Sequence, residues 1–341
     1  MIDLLVAGGG PAGLATALHG AAAGLDVVVV ERRRGPIEKA CGEGLMPHAV
    51  EHLSRLGVDP PGVPLRGIRY LDGDRCADAP FRAGPGRGVR RTALHTAMLE
   101  AAAEAGIAFL HTDICTVHQD SASVRMGDLR ARHLAAADGL HSPIRRSLAL
   151  EQPVGGPRRW GIRRHVRISP WTDHVEVHWA DDAEAYVTPV ADDCVGIAVL
   201  TSRRGGFDQH LDEFPGLRRR VAGYPHGPDM AAGPLRQKVS RPSCGRVLLV
   251  GDAAGYIDAL TGEGLGIAFA TAELLVGCIA AGRADDYDRR WRQVTRRYRL
   301  LTAGILQAST SAPLRRAVVP AADAFPGVFT GLVNRLAQGP R

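Results

Sequence analysis

Lysine is almost missing from this chain of 341 residues: of 42 basic side chains, only Lys39 and Lys238 are lysines. The formal charge of +6 is carried by scattered arginines. They form no basic tail and no recognition-helix pattern, so no nucleic-acid partner is expected. The skew toward arginine, alanine and glycine reads as the codon bias of a GC-rich genome. The six cysteines, Cys41, Cys76, Cys115, Cys194, Cys244 and Cys278, include no C-x-x-C pair. A zinc ribbon and a dithiol redox motif are therefore excluded, and no metal site is expected. No run of 18 apolar residues escapes a charge, so no transmembrane helix is expected. Nor does a basic n-region precede the first apolar run, so no signal peptide is read and a cytoplasmic location is expected, which suits free thiols.

What is present is ordinary for a globular protein, with 45% apolar and 23% charged residues. Those values exclude a disordered chain and a small disulfide scaffold. The length predicts about two lobes.

Residues 2–7 and 26–31 read as buried strands and residues 11–24 as the helix between them, a β-α-β unit with parallel strands. Helices are expected at 47–56, 91–105 and 262–281. Short strands are expected within 65–82, at 107–110, 114–118, 124–126 and 129–136, and again at 247–250. From 155 to 240 the pattern turns to alternation, with strands at 160–168, 173–179, 183–190 and 194–200. We expect an α/β protein in three parts: a Rossmann-like nucleotide-binding domain from 1–154 and 241–284, an inserted antiparallel β-sheet substrate domain at 155–240, and C-terminal helices over 285–341, broken at Pro313, Pro320 and Pro326.

Between the first strand and helix lies Gly8-Gly9-Gly10-Pro11-Ala12-Gly13. In that context G-x-G-x-x-G is a dinucleotide fingerprint: Gly8 for the turn, Gly10 for approach of a pyrophosphate to the helix N-terminus, Gly13 for close packing. Glu31, ending the second strand, is placed to accept from a ribose hydroxyl. An acid there disfavours a 2′-phosphate, so the tightly held nucleotide is not NADP. Pro11, Ala12 and Arg32 fall in the same expected site.

Two further motifs follow strands. One runs Ala137-Asp138-Gly139-Leu140-His141-Ser142-Pro143-Ile144-Arg145. The other is Val250-Gly251-Asp252-Ala253-Ala254-Gly255, leading to Thr261-Gly262-Glu263-Gly264. In this order the three motifs resemble the FAD-binding fold shared by p-hydroxybenzoate-hydroxylase-type monooxygenases and geranylgeranyl-reductase-type enzymes. The resemblance implies a glutathione-reductase-type FAD domain with tightly bound FAD. It implies that Asp252 meets the ribityl chain or pyrophosphate, and that Gly251, Gly262, Glu263 and Gly264 lie along the flavin. It also implies that Asp138 orders the dinucleotide site, with Ser142 capping the short helix after it. Arg91, opening Arg-Thr-Ala-Leu-His, resembles the arginine that contacts FAD, with Arg90 its neighbour and competitor. Cys41-Gly42-Glu43-Gly44-Leu45 is similar to the segment of the reductase branch whose cysteine lies near the flavin ring.

On the substrate lobe, Arg163, His165, His178, Tyr186 and Thr188 are candidate pocket residues. Cys41, His178 and Tyr186 are the candidates for catalysis. Trp160, Trp171 and Trp179 suit an apolar wall or core. No second G-x-G-x-x-G exists, so NAD(P)H is expected as a transient reductant, or a partner reductase supplies electrons. The basic segment 289–299 allows weak contact with a membrane surface.

Two activities follow. The first reading is a monooxygenase that hydroxylates or epoxidises an aromatic or polyketide-like secondary metabolite through a C4a-hydroperoxyflavin. The alternative is reduction of a carbon–carbon double bond in an isoprenoid or lipidic substrate. A non-catalytic flavin-binding protein is the third. Either way the ligand is a small apolar or aromatic molecule. Gly255, where many hydroxylases carry His, and Thr261-Gly262-Glu263-Gly264 agree with the reductase branch. The strand Tyr186-Val187-Thr188-Pro189 lacks that branch's aromatic pattern.

Overall fold

The computed structural model describes residues 1–113, 116–156 and 158–339. Two large sheets organise it. The first has the strand order Ser243–Cys244, Val247–Leu249, Leu129–Ala136, Ile2–Ala7, Val27–Val30, Ala108–Leu110. Four neighbouring pairs are parallel, including the expected pairing of Leu4 with Val27. Leu4, Leu5, Val6, Val29, Leu134, Leu248 and Leu249 are all fully buried. These strands show apolar runs instead of alternation because helices cover the sheet. Helices Pro11–Ala22, Arg91–Glu104 and Gly264–Ala280 join this core through Leu14, Met98, Phe269 and Leu275. A hairpin of Val117–Gln119 and Val124–Met126 extends Leu129–Ala136. Of the strand expected at 114–118, Ile114 and Cys115 lie outside the described residues.

The second sheet runs Met230–Ala232, Trp160–Val166, Cys194–Thr201, Ala183–Ala191, His174–Trp179, Gly67–Asp72, Arg75–Pro80. Its four central strands are those expected from alternation. The last two were grouped with the first lobe by sequence order, yet they close the edge of the second sheet. Gly67–Asp72 pairs parallel to His174–Trp179, so the sheet is not wholly antiparallel. The hairpin turns at Gly73, whose φ of +56° suits glycine. A long crossover hides this pairing from a local reading of the sequence.

The second sheet presents two different faces. Ala185, Val187, Ile197 and Val199 pack under the short helices Phe207–Leu211 and Pro215–Val221. The alternate residues look into a cleft between the two sheets.

The C-terminal helices are Tyr287–Thr310, Ala312–Ala324 and Pro326–Ala337. Pro313 and Pro326 stand at helix starts, as expected. Pro320 does not break its helix. An internal proline costs about 3 kcal/mol, and the packing of Val319 and Ala322, both buried, offsets it. Among the described residues no single helix is long and apolar enough to cross a membrane; the last two together meet at 105°.

Candidate active site

The glycine turn is shaped by backbone crowding. Gly8 has a φ of +110°, and a Cβ on it would be driven into the carbonyl of Ala137. A Cβ on Gly13 would collide with the carbonyl oxygen of Gly8. Gly10 caps the helix that begins at Pro11, and no side chain caps it. Gly10, Pro11 and Ala12 line the cleft, so the free N–H groups and the positive end of the helix dipole meet it. That is a site for a phosphate.

Glu31 is buried one residue beyond Val27–Val30. Burial raises its pKa, but hydrogen bonds from Arg33 and the Gly9 N–H outweigh this and hold it below the usual range. The Gly9 N–H donates to Oε2 at 3.0 Å and the Arg33 Nε–H to Oε1 at 3.0 Å. Arg32, expected beside it, is exposed and paired with Asp113 at 3.8 Å. Neither Arg32 nor Arg33 lines the cleft, and Arg33 is the arginine that fixes the acid.

Arg91 begins its helix, is nearly fully buried and lines the cleft. Its Nε has no partner. Burial lowers its pKa, opposed by Cys41, Asp252, Glu38 and Glu43. Arg90, its competitor, is exposed and lies 3.5 Å from Nδ1 of His165. Asp252 lines the cleft with Lys39, whose Nζ stands 3.7 Å from its carboxylate. Gly251, Gly262 and Gly264 line it too.

Glu263 is buried at the cap of Gly264–Ala280, and its Oε1 has no partner. Burial pushes its pKa up to about 9, opposed by Arg297. Asp138 is turned inward on its own loop. Its carboxylate accepts from the Ile144 N–H at 3.0 Å and does not line the cleft. As expected, Ser142 accepts from the Arg145 N–H, at 2.9 Å.

The roof is one face of the second sheet. Ile68 and Tyr70, Val175 and Val177, Tyr186 and Thr188, Ala198 and Leu200 line the cleft in alternating pairs. His178 is out of phase with Val175 and Val177. It sits on the other face, 3.2 Å from Glu176, and does not line the cleft. Tyr186 reaches the cleft, but its hydroxyl donates to the Leu260 carbonyl at 3.0 Å. Burial, then Glu184, pushes its pKa well up. Thr188 donates to the Gly42 carbonyl at 2.9 Å. Trp179 is core, tilted on Tyr70 at 5.5 Å between centroids. Cys41 is half-buried on the cleft, and burial raises its pKa despite Arg91, so its thiol keeps its proton at neutral pH.

These residues fit a dinucleotide. A Cβ on Gly42 or Gly262 would meet nothing within 4 Å, and one on Gly10 only Arg91 Nη2 at 3.9 Å. The uncapped helix start and the Arg91 guanidinium, whose Nη2 lies beside Gly10, supply the donors an anionic cofactor needs. Residues 1–208 match the family described as FAD binding domain.

The chain belongs to this FAD-binding family. It is 31% identical over 324 residues to a menaquinone reductase of Mycobacterium tuberculosis (strain ATCC 25618 / H37Rv), covering 85% of this chain and 78% of that protein. It is 25% identical over 319 residues to digeranylgeranylglycerophospholipid reductase 2 of Methanopyrus kandleri, covering 84% and 78%. In fold it is similar to p-nitrophenol 4-monooxygenase PnpA of Pseudomonas putida DLL-E4, with a TM-score of 0.84 at 20% identity, covering 100% and 99%. The protein is thus an FAD-dependent oxidoreductase.

In this FAD-binding protein two residues beyond the expected set organise the site. Arg145 is fully buried and donates to the carbonyls of Leu140 at 2.8 Å and Ala253 at 3.1 Å, and to Gln237 at 2.9 Å. It ties the second motif to the third. Glu43, also buried, accepts from the Arg91 N–H at 2.7 Å and lies 2.6 Å from His165 Nε2. The Nη1 of Arg163 stands 2.8 Å from the other ring nitrogen of His165, and Arg163 also pairs with Glu38. Both residues stood inside quoted motifs; the signal was a charged residue at a position flanked by glycine or following a cap.

Proposed function

We propose that this FAD-dependent oxidoreductase reduces a carbon–carbon double bond in a neutral, apolar substrate of isoprenoid character. One observation carries the reading. The charged residues lining the cleft are Lys39, Glu43, Arg91, Arg163 and Asp252; Lys39 pairs with Asp252, and Arg163, on the roof in register with Ala198, pairs with Glu38. Beyond them the walls are Leu65, Ile68, Phe81, Val177, Ile305 and Leu336. Tyr186 and Thr188 spend their hydroxyls on backbone carbonyls. Arg163, the cation among the roof residues, is already paired with Glu38, so an anionic aromatic substrate would find no free cation there, at a cost of several kcal/mol. An apolar chain gains about 25 cal/mol for each Å² it buries there.

When bound, FAD supplies two-electron redox chemistry; reducing a double bond consumes one hydride and one proton. A reduced nicotinamide or a partner reductase returns the electrons. Helix Pro11–Ala22 would receive the pyrophosphate, Glu31 a ribose hydroxyl, and Asp252 the ribityl chain. Arg91 would offer its Nη2, beside Gly10, to a cofactor oxygen. Cys41, whose thiol keeps its proton, is a candidate proton donor on the cleft wall. The C-terminal helices, through Ile305, Val333 and Leu336, exclude water from the substrate. The relatives named reductases, at 31% and 25% identity, support this reading; a relative named a hydroxylase, at 29%, belongs to the other.

The test uses holoenzyme reduced with dithionite in an anaerobic cell. A polyprenyl alcohol is expected to reoxidise the flavin without oxygen, and a hydroxylated aromatic acid is not. Reoxidation that needs oxygen and yields a hydroxylated aromatic product would overturn the proposal in favour of oxygenation.

A further inference from the structure

We propose that Glu43 is a positioning residue that sets Cys41 and Arg91 at the cofactor cleft. Its φ is +60°, in the left-handed region that non-glycine residues avoid. A side chain at such a position needs a compensating role, and Glu43 is flanked by Gly42 and Gly44, so the loop had glycine to hand. Glu43 is 3% exposed, yet its side chain has a partner for each oxygen. Oε1 takes the first N–H of helix Arg91–Glu104, which Arg90 leaves uncapped. A carboxylate there is also favoured by the helix dipole.

Oε2 faces His165 on strand Trp160–Val166. With Arg163 donating to Nδ1, the ring carries its proton on Nε2 and donates to Glu43. The main chain joins in: the Glu43 N–H points at Cys41 Sγ, 3.4 Å away, and the Glu43 carbonyl accepts from Val89 at 2.8 Å. The opposing strand makes room, since a Cβ on Gly196 would lie 2.8 Å from Oε2. One carboxylate thus locks the Cys41 loop, the Arg91 helix and the roof strand together. This inference rests on the FAD site, not on the choice between hydride transfer and oxygenation.

Glu43→Gly separates positioning from folding, because glycine accepts φ +60° without strain. FAD affinity is expected to fall about tenfold and alkylation of Cys41 by iodoacetamide to quicken about tenfold, the scale of a lost charge-assisted hydrogen bond. Cys41 labelling is followed by peptide mass spectrometry, and a native circular dichroism spectrum and a cooperative melt identify the folded variant. Gly196→Ala keeps the carboxylate but crowds it, and shifts both readouts the same way; it decides the matter if Glu43→Gly does not fold. Glu43→Gln, which can still accept from the Arg91 N–H, recovers part of the FAD affinity. Unchanged FAD affinity and unchanged Cys41 labelling in the folded variant would overturn the proposal, whatever substrate the enzyme takes.

Discussion

The guanidinium of Arg145 donates to the carbonyl of Ala253, 3.1 Å away, across 108 residues of chain. This bond holds the loop after Leu129–Ala136 against the loop after Val247–Leu249, and so fixes Asp252 relative to the glycine turn. Arg145→Ala leaves the two buried carbonyls of Leu140 and Ala253, and the part-buried Gln237, without this donor. It is expected to cost about 3–5 kcal/mol of stability, the usual penalty for breaking a buried charged network. FAD retention should fall with it. Denaturant unfolding and the flavin-to-protein absorbance ratio check both; a variant as stable as the parent would contradict the tie.

Glu263 gives a pH dependence of known sign. Its folded pKa, raised to about 9 by burial, exceeds that of the unfolded chain. The folded state therefore holds more protons between pH 4.5 and 9, and this contribution to stability is full below the unfolded pKa and lost as pH rises. Glu263→Gln, neutral at every pH, is expected to be more stable than the parent at pH 8 by at least about 1 kcal/mol. The gain should shrink toward pH 5. Melting curves at the two pH values measure it, and a gain that grows on acidification would contradict the assignment.

His178 and Tyr186 separate by face. His178→Ala is expected to leave kcat within about twofold, since the ring lies behind the roof. Tyr186→Phe is expected to cost about 1 kcal/mol of stability from the lost bond to Leu260, with kcat little changed. A loss of a hundredfold or more in kcat for either variant would restore it to the chemistry.

Much of the fold was legible in the sequence, because the central strands and their helices obey local rules. The apolar runs at 2–7 and 247–250, the spacing of Gly8, Gly10 and Gly13, and the alternation at 174–190 each carry their structure within a dozen residues. What was hidden depends on long-range pairing. The hairpin 67–80 joins the second sheet only because His174–Trp179 offers a parallel edge. The face that His178 takes is set by the same pairing. Arg32 and Arg33 are equivalent by sequence, and only the turn after Glu31 separates them. Pro320 survives in a helix through packing that no local pattern shows. Glu43 was the harder case: its two partners lie 48 and 122 residues away.

The apolar end of the cleft has its own test. Ile305, half-buried on helix Tyr287–Thr310, lines the cleft and packs against the apolar cluster of Val177, Leu200 and Val319. Ile305→Glu is expected to raise KM for a polyprenyl substrate by about tenfold or more, since a charge in an apolar wall costs well over 1.4 kcal/mol. Flavin content should stay unchanged. An unaltered KM would place the substrate elsewhere.

The central claim is reduction of a neutral apolar double bond, and product mass addresses it most directly. The reduced holoenzyme would be incubated with a polyprenyl alcohol in the absence of oxygen, then with oxygen and a reductant, and the products weighed by mass spectrometry. The account predicts a product heavier by two hydrogens, formed without oxygen. A product heavier by one oxygen, formed only in air, would contradict it.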